Sequence, residues 1–155
     1  MTILRARLWW LLGAVVVVFL LAGCSRSPNR TKIDPQLAQQ IELGQQVYAA
    51  NCAACHGAEG EGEPDWKTPK EDGTYPAPPH DISGHTWHHG DGTLLQIIRG
   101  GGDSLDIPNF ESAMPAFEDT LSDEEIVAVL AYLKSRWPEE ERQFQAEMTQ
   151  KDPAP

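Results

Sequence analysis

The chain has 155 residues, with 12 Lys+Arg against 23 Asp+Glu, a formal net charge of −11. That length suits one small domain with tails. The acidic balance argues against nucleic acid and against electrostatic binding to anionic lipid, and it is compatible with a partner that presents a basic docking surface.

In chain order, Arg5 and Arg7 precede an apolar run from Leu8 to Ala22, broken only by Gly13, and then Leu21-Ala22-Gly23-Cys24. Basic region, apolar region and small-residue cleavage site follow the order of a secretory signal. The run is shorter than the ~20 residues that span a bilayer; an uncleaved membrane anchor is the rival reading. The segment resembles a bacterial lipoprotein signal, which implies a lipid on Cys24 and a mature chain starting there. Residues 1–23 are thus expected to be a signal peptide and 24–34 a flexible tether. The rest is placed outside the cytoplasm, membrane-anchored on the periplasmic or outer cell-surface side.

Asp34-Pro35 predicts a helix start, with Asp34 as N-cap and Pro35 in the first helical position. Leu37, Ile41, Val47 and Tyr48 lie near helical spacing through about Asn51. Cys52-Ala53-Ala54-Cys55-His56 follows, the Cys-x-x-Cys-His pattern of a covalent c-type haem site. Two thiols at this spacing can add to the vinyl groups of one porphyrin, and the adjacent imidazole can reach the iron. A redox dithiol would need a βαβ context, and a zinc site a second Cys/His pair; neither is visible. With Cys24 taken by lipid, no thiol is left over.

Gly57 to Gly92 lacks periodicity and reads as loop. Leu94, Leu95, Ile97 and Ile98 predict a short helix ending at Gly100-Gly101-Gly102, and another loop runs to Thr120. Ser122-Asp123-Glu124-Glu125 has the form of a capping box. Ile126, Val129, Leu130 and Leu133 continue it as a helix expected to end at Trp137, before Pro138. Residues 138–155 form a polar tail in which Glu139 to Gln150 could be a further, exposed helix. No strand is expected.

A helix, the haem motif, long loops and a last helix resemble the small single-haem bacterial cytochrome c family. Gly44, Val47 and Tyr48, the motif with Gly57, Met114-Pro115 and Tyr132 carry the resemblance. It implies an all-α, cytochrome c-like domain over 35–137, with N- and C-terminal helices packed together around one covalent haem. Gly44 would permit their close approach, with Leu130 or Tyr132 filling the space. The segment from Pro76 through His89 also looks like a subgroup of bacterial monohaem cytochromes.

As axial ligand, His56 needs an acceptor for its other ring nitrogen; the resemblance points to a proline carbonyl, Pro79 before Pro69. Met114 is the candidate sixth ligand, because Met1 leaves with the signal and Met148 lies in the tail. Its rivals are His80, His85, His88 and His89. Trp87 and Arg99 are candidate partners of a buried propionate. The acidic run Glu59, Glu61, Glu63 and Asp65 reads as a solvated loop rather than a docking patch.

The expected function is a lipid-anchored, one-electron carrier between redox proteins, with one haem c. It is not an enzyme itself, although it could be the cytochrome subunit of a larger oxidoreductase. Two alternatives stand beside it. One is a haem sensor with an open sixth site. The other is a metal-handling module using the histidines of 80–89, since imidazole suits copper and zinc.

Overall fold

The computed structural model describes residues 32–152. The expected signal, most of the tether and Cys24 lie outside the described residues. Among the described residues, no helix is long and apolar enough to cross a membrane.

Helix α1 spans Ala38–Asn51 and starts one turn later than the sequence predicts. Asp34 does not cap it. Its carboxylate instead accepts from the Gln36 N–H at 3.0 Å, closing a turn, and its carbonyl accepts from Leu37. Gln40, buried on α1, holds this entry segment by accepting from the Asp34 N–H at 2.7 Å and donating to the Lys32 carbonyl at 2.8 Å. One short turn, α2 (Ala53–His56), carries the Cys-x-x-Cys-His motif directly off the end of α1.

A long segment then leads through a 3-10 turn at Thr86–His88 to α3, Asp91–Gly100. Two residues of it, β1 (Thr74–Tyr75), pair in parallel with β2 (Glu111–Ser112), a strand contact that the sequence does not betray. A 3-10 turn at Gly102–Leu105 follows α3. Helix α4 spans Asp123–Arg136, with Trp137 as its C-cap, as predicted. The capping box at its start is complete: the Ser122 hydroxyl accepts from the Glu125 N–H, and the Glu125 carboxylate accepts from the Ser122 N–H at 2.9 Å.

The core forms where α4 crosses α1. Val47 and Tyr48 from α1 and Leu94 and Leu95 from α3 pack with Ile126, Val129, Leu130 and Leu133 from α4. Gly44 sits at the crossing. A Cβ there would lie 1.9 Å from the Ala128 carbonyl oxygen and 2.7 Å from the Tyr132 Cβ. Tyr132 and the Ala128 backbone, not Leu130, occupy the space that glycine leaves.

The polar tail is a helix, α5 (Glu139–Lys151), and it is docked rather than free. Its helical surface is mostly polar, so hydrogen bonds and one aromatic contact, rather than a broad apolar stripe, dock it. Gln145, fully buried, donates to the Asp91 carboxylate at 2.7 Å. Lys134 on α4 donates to the same carboxylate at 2.8 Å and 3.1 Å. Asp91 thus ties α3, α4 and α5 together, and its charge sits favourably in the first turn of α3. Phe144 on α5 packs edge-on against Trp87. Fold class is that expected: all-α and cytochrome c-like, with the first and last domain helices crossing beside the motif.

Candidate functional site

His56 is the centre of the site. It is buried at the C-terminal end of α2, and its Nδ1 lies 2.9 Å from the Pro78 carbonyl oxygen. A proline carbonyl can only accept, so Nδ1 carries the proton and Nε2 keeps its lone pair for a metal. Burial holds the imidazole below its ordinary pKa, partly offset by the bond to Pro78. It is therefore neutral at pH 7, as a ligand must be.

The acceptor is Pro78, not Pro79 or Pro69. The reason is how two stretches of loop pair. Glu63 N–H donates to the Ala77 carbonyl at 2.8 Å, and the Glu63 carboxylate accepts from the Ala77 N–H at 2.7 Å. His80 N–H donates to the Gly60 carbonyl at 2.7 Å. Between these anchors the Pro78 carbonyl faces His56. The next carbonyl, Pro79, faces Gly84, where a Cβ would lie 2.0 Å away, and the Thr86 hydroxyl. Gly62 is needed for the same pairing. Its φ is +69°, and a Cβ would come within 2.5 Å of the Pro79 nitrogen. Pro69 is exposed and makes no bond to His56.

Cys52 is half-buried and Cys55 exposed, and both are free thiols. Burial first, and then Cys55, push the Cys52 thiol up to about 11, so it is protonated at neutral pH. The motif is anchored from the core by Tyr48, whose hydroxyl donates to the Gly57 carbonyl at 2.8 Å. The end of α4 grips the following loop. Arg136 donates to the Glu59 carbonyl and carboxylate, and the buried Trp137 indole donates to the His80 carbonyl at 2.7 Å. Sequence reasoning gave Trp137 only the role of a helix end; its place after α4 and before Pro138 was the available signal.

Met114 is half-buried on the late loop, which is held against the glycines after α3. Gly102 N–H donates to the Met114 carbonyl at 3.1 Å, and the Met114 N–H donates to the Ser112 hydroxyl. A Cβ on Gly101, at φ +82°, would lie 2.8 Å from the same carbonyl. Trp87 is half-buried, and its indole N–H is buried without a partner. Arg99 has one already: its guanidinium binds the Asp123 carboxylate at 3.0 Å.

The remaining histidines all lie in ring contacts, and His85 and His89 meet edge-on with centroids 5.3 Å apart. His80 stacks face to face on His56, ring centroids 4.1 Å apart and planes at 25°. His85 stacks on Trp66, and His88 packs on Trp87 and Phe144. Among the described residues, no group of three or more His, Cys, Asp or Glu is placed to hold a metal ion. In the acidic run, three of four carboxylates have structural partners. Glu59 pairs with Arg136, Glu61 accepts from the Glu59 N–H, and Glu63 holds Ala77 and Lys70.

Residues 41–137 match the family model for cytochrome c. The chain is similar to cytochrome c6 of Picosynechococcus sp. (strain ATCC 27264 / PCC 7002 / PR-6), 36% identical over 101 residues, which cover 64% of this chain and 75% of that protein. It is 33% identical to cytochrome c6 of Tetradesmus obliquus over 98 residues, 60% of this chain and 86% of the relative. It is also 36% identical to that of Bryopsis maxima over 95 residues, 60% and 88% of the two chains. No solved structure gave a significant match. Free thiols beside a neutral, oriented imidazole suit the single covalent haem c that the match implies, and the chain belongs to the cytochrome c family of one-electron carriers, which are not enzymes.

Proposed function

We propose that the chain carries electrons outside the cytoplasm, tethered to a membrane by lipid on Cys24. In this reading Cys52 and Cys55 hold haem c by thioether bonds, with His56 and Met114 as its axial ligands. The observation that carries the haem assignment is the His56–Pro78 bond, which turns Nδ1 away and leaves Nε2 for the metal beside Cys52 and Cys55. The bound haem supplies a one-electron iron couple. The chain supplies the rest. The Pro78 carbonyl keeps His56 in one tautomer and raises its basicity as a ligand. Tyr48 and Trp137 fix the loop that carries that carbonyl.

Met114 is favoured over His80 as distal ligand. Two imidazoles bound to opposite sides of one iron lie end to end, whereas His80 lies flat against His56. The unpartnered Trp87 indole N–H suits a propionate, because a buried donor without an acceptor is costly. Arg99 is turned to Asp123 and is left out of that role. Redox proteins with a basic docking surface are the partners that the net charge of −11 suits.

Met114→His is expected to keep a six-coordinate iron and lower the potential, and Met114→Ala to admit CO rapidly. A Met114→Ala protein with wild-type spectrum, potential and CO binding would refute the ligand assignment. A wild-type protein that itself binds CO rapidly would point to a ligand sensor instead. Intact mass of the membrane fraction tests the tether. Unmodified Cys24, or membrane retention unchanged by Cys24→Ser, would count against it.

A further inference from the structure

We infer that His80 is a positioning residue for His56: its flat imidazole face, with the Pro78 carbonyl, sets the plane in which the His56 ring is held. The inference rests on His56 being the axial ligand. The two rings overlap at 4.1 Å between centroids, with planes 25° apart. His80 is itself held from several sides. Its Nδ1 lies 2.9 Å from the Thr86 hydroxyl, and its N–H donates to the Gly60 carbonyl at 2.7 Å. Its carbonyl accepts from the Trp137 indole at 2.7 Å, and the Tyr48 ring meets it edge-on. The imidazole is thus a wall, built from the motif loop, the Thr86 turn and the end of α4.

Why a wall is needed follows from the geometry of the single hydrogen bond. Acceptance at a carbonyl oxygen is angularly broad, so the Pro78 bond alone leaves the His56 ring freedom to tilt about its Cβ–Cγ axis. A second ring in van der Waals contact with its face removes that freedom. An aliphatic residue at 80 would fill volume without offering a flat surface. The plane of an axial imidazole governs how unpaired spin is distributed over a ferric low-spin haem. A change of plane is therefore readable without any electron-transfer assay.

The test uses the ferric holoprotein and reads the proton NMR shifts of the haem methyl groups, together with the reduction potential. His80→Ala is expected to change the spread of the methyl shifts and to move the potential, while haem stays covalently attached. His80→Phe restores a flat face without the bond to Thr86, and is expected to lie closer to the wild-type methyl pattern than His80→Ala does. Thr86→Val keeps His80 but removes its hydroxyl partner, and is expected to move the pattern in the same direction as His80→Ala. Wild-type shifts and potential in His80→Ala would overturn the inference. So would a His80→Phe protein as perturbed as His80→Ala. Should His80→Ala fail to retain haem, a wild-type pattern in Thr86→Val combined with a perturbed His80→Phe would overturn it. His56→Ala separates the two readings: if the low-spin spectrum survives that change, the ligand assignment fails. If the low-spin spectrum is lost there, and His80→Ala is wild type, only the stacking role fails.

Discussion

Gly44→Ala is the sharpest perturbation of this fold, because two effects of opposite sign meet at one atom. In an exposed helix, alanine would stabilise relative to glycine by about 1 kcal/mol. Here the added Cβ would lie 1.9 Å from the Ala128 carbonyl oxygen, 2.5 Å from its carbon and 2.7 Å from the Tyr132 Cβ. The first two belong to backbone and cannot rotate away. Ordinary contact begins near 3.4 Å, so α1 and α4 must separate locally by about 1.5 Å, the difference from 1.9 Å. In a close-packed interior, that separation loosens the contacts of Val47, Tyr48 and Ile126 at once. Overpacking of this kind costs about 1–3 kcal/mol, more where backbone must move. With the backbone clash placing the gross cost at about 3 kcal/mol, the net expectation is a loss of about 2 kcal/mol after the helix-propensity gain. The assay is urea unfolding of the holoprotein, read as a midpoint shift at constant slope. A Gly44→Ala midpoint equal to or above wild type would mean that the helices do not cross at this distance.

Lys134→Met leaves the buried Asp91 carboxylate with Gln145 as its remaining side-chain donor. Breaking a buried pair from one side costs about 3–5 kcal/mol. The lower end is expected, because Gln145 and the α3 terminus still stabilise the charge; a loss below about 1 kcal/mol in urea unfolding would contradict the network. Ser122→Ala should cost about 1 kcal/mol at pH 7 through the lost cap. The Ser122 N–H and hydroxyl both donate to the Glu125 carboxylate and hold its pKa below the usual glutamate value. A depressed native pKa contributes stability above the unfolded-state value, lost as pH falls through the native one. The Ser122→Ala penalty should therefore shrink on acidification below the ordinary glutamate range. A penalty that grows instead, in urea midpoints taken across that range, would refute the capping box as the cause.

What could be read from the sequence was short in range. The Cys52–His56 motif and the Ser122/Glu125 box are each complete within five residues, so local chemistry identifies them. Gly44 was legible because a glycine inside a helix costs stability and implies a close neighbour. The choice between Pro78 and Pro79 was not legible. It depends on Gly60–Glu63 pairing with Ala77–His80, and no local pattern encodes which of two adjacent carbonyls turns inward. Nor could the docking of α5 be read, because Gln145 reaches Asp91, 54 positions away, and Phe144 reaches Trp87, with no regular apolar stripe to announce it. Asp34 misled for a related reason. An aspartate before proline can close its own turn as readily as it caps a helix, and here the turn it closes with Gln36 is followed by an extended Leu37, so the helix begins at Ala38.

The helix crossing and the site are one construction. Tyr48 sits on α1, packs its ring on Tyr132 of α4 with centroids 5.4 Å apart, and donates its hydroxyl to Gly57 just after the motif. Burial, and then Cys52, push that hydroxyl above the usual phenol pKa, so it remains a donor throughout the working range. One turn beyond Tyr132, Arg136 and Trp137 bind Glu59 and His80. The close approach at Gly44 therefore does more than bury hydrocarbon. It brings the end of α4 within hydrogen-bonding reach of the loop that presents Pro78 to His56. A widened crossing should disturb the His56 environment before the protein unfolds. The haem methyl shifts of Gly44→Ala should depart from wild type in the absence of urea, a change that simple destabilisation of a two-state fold would not produce.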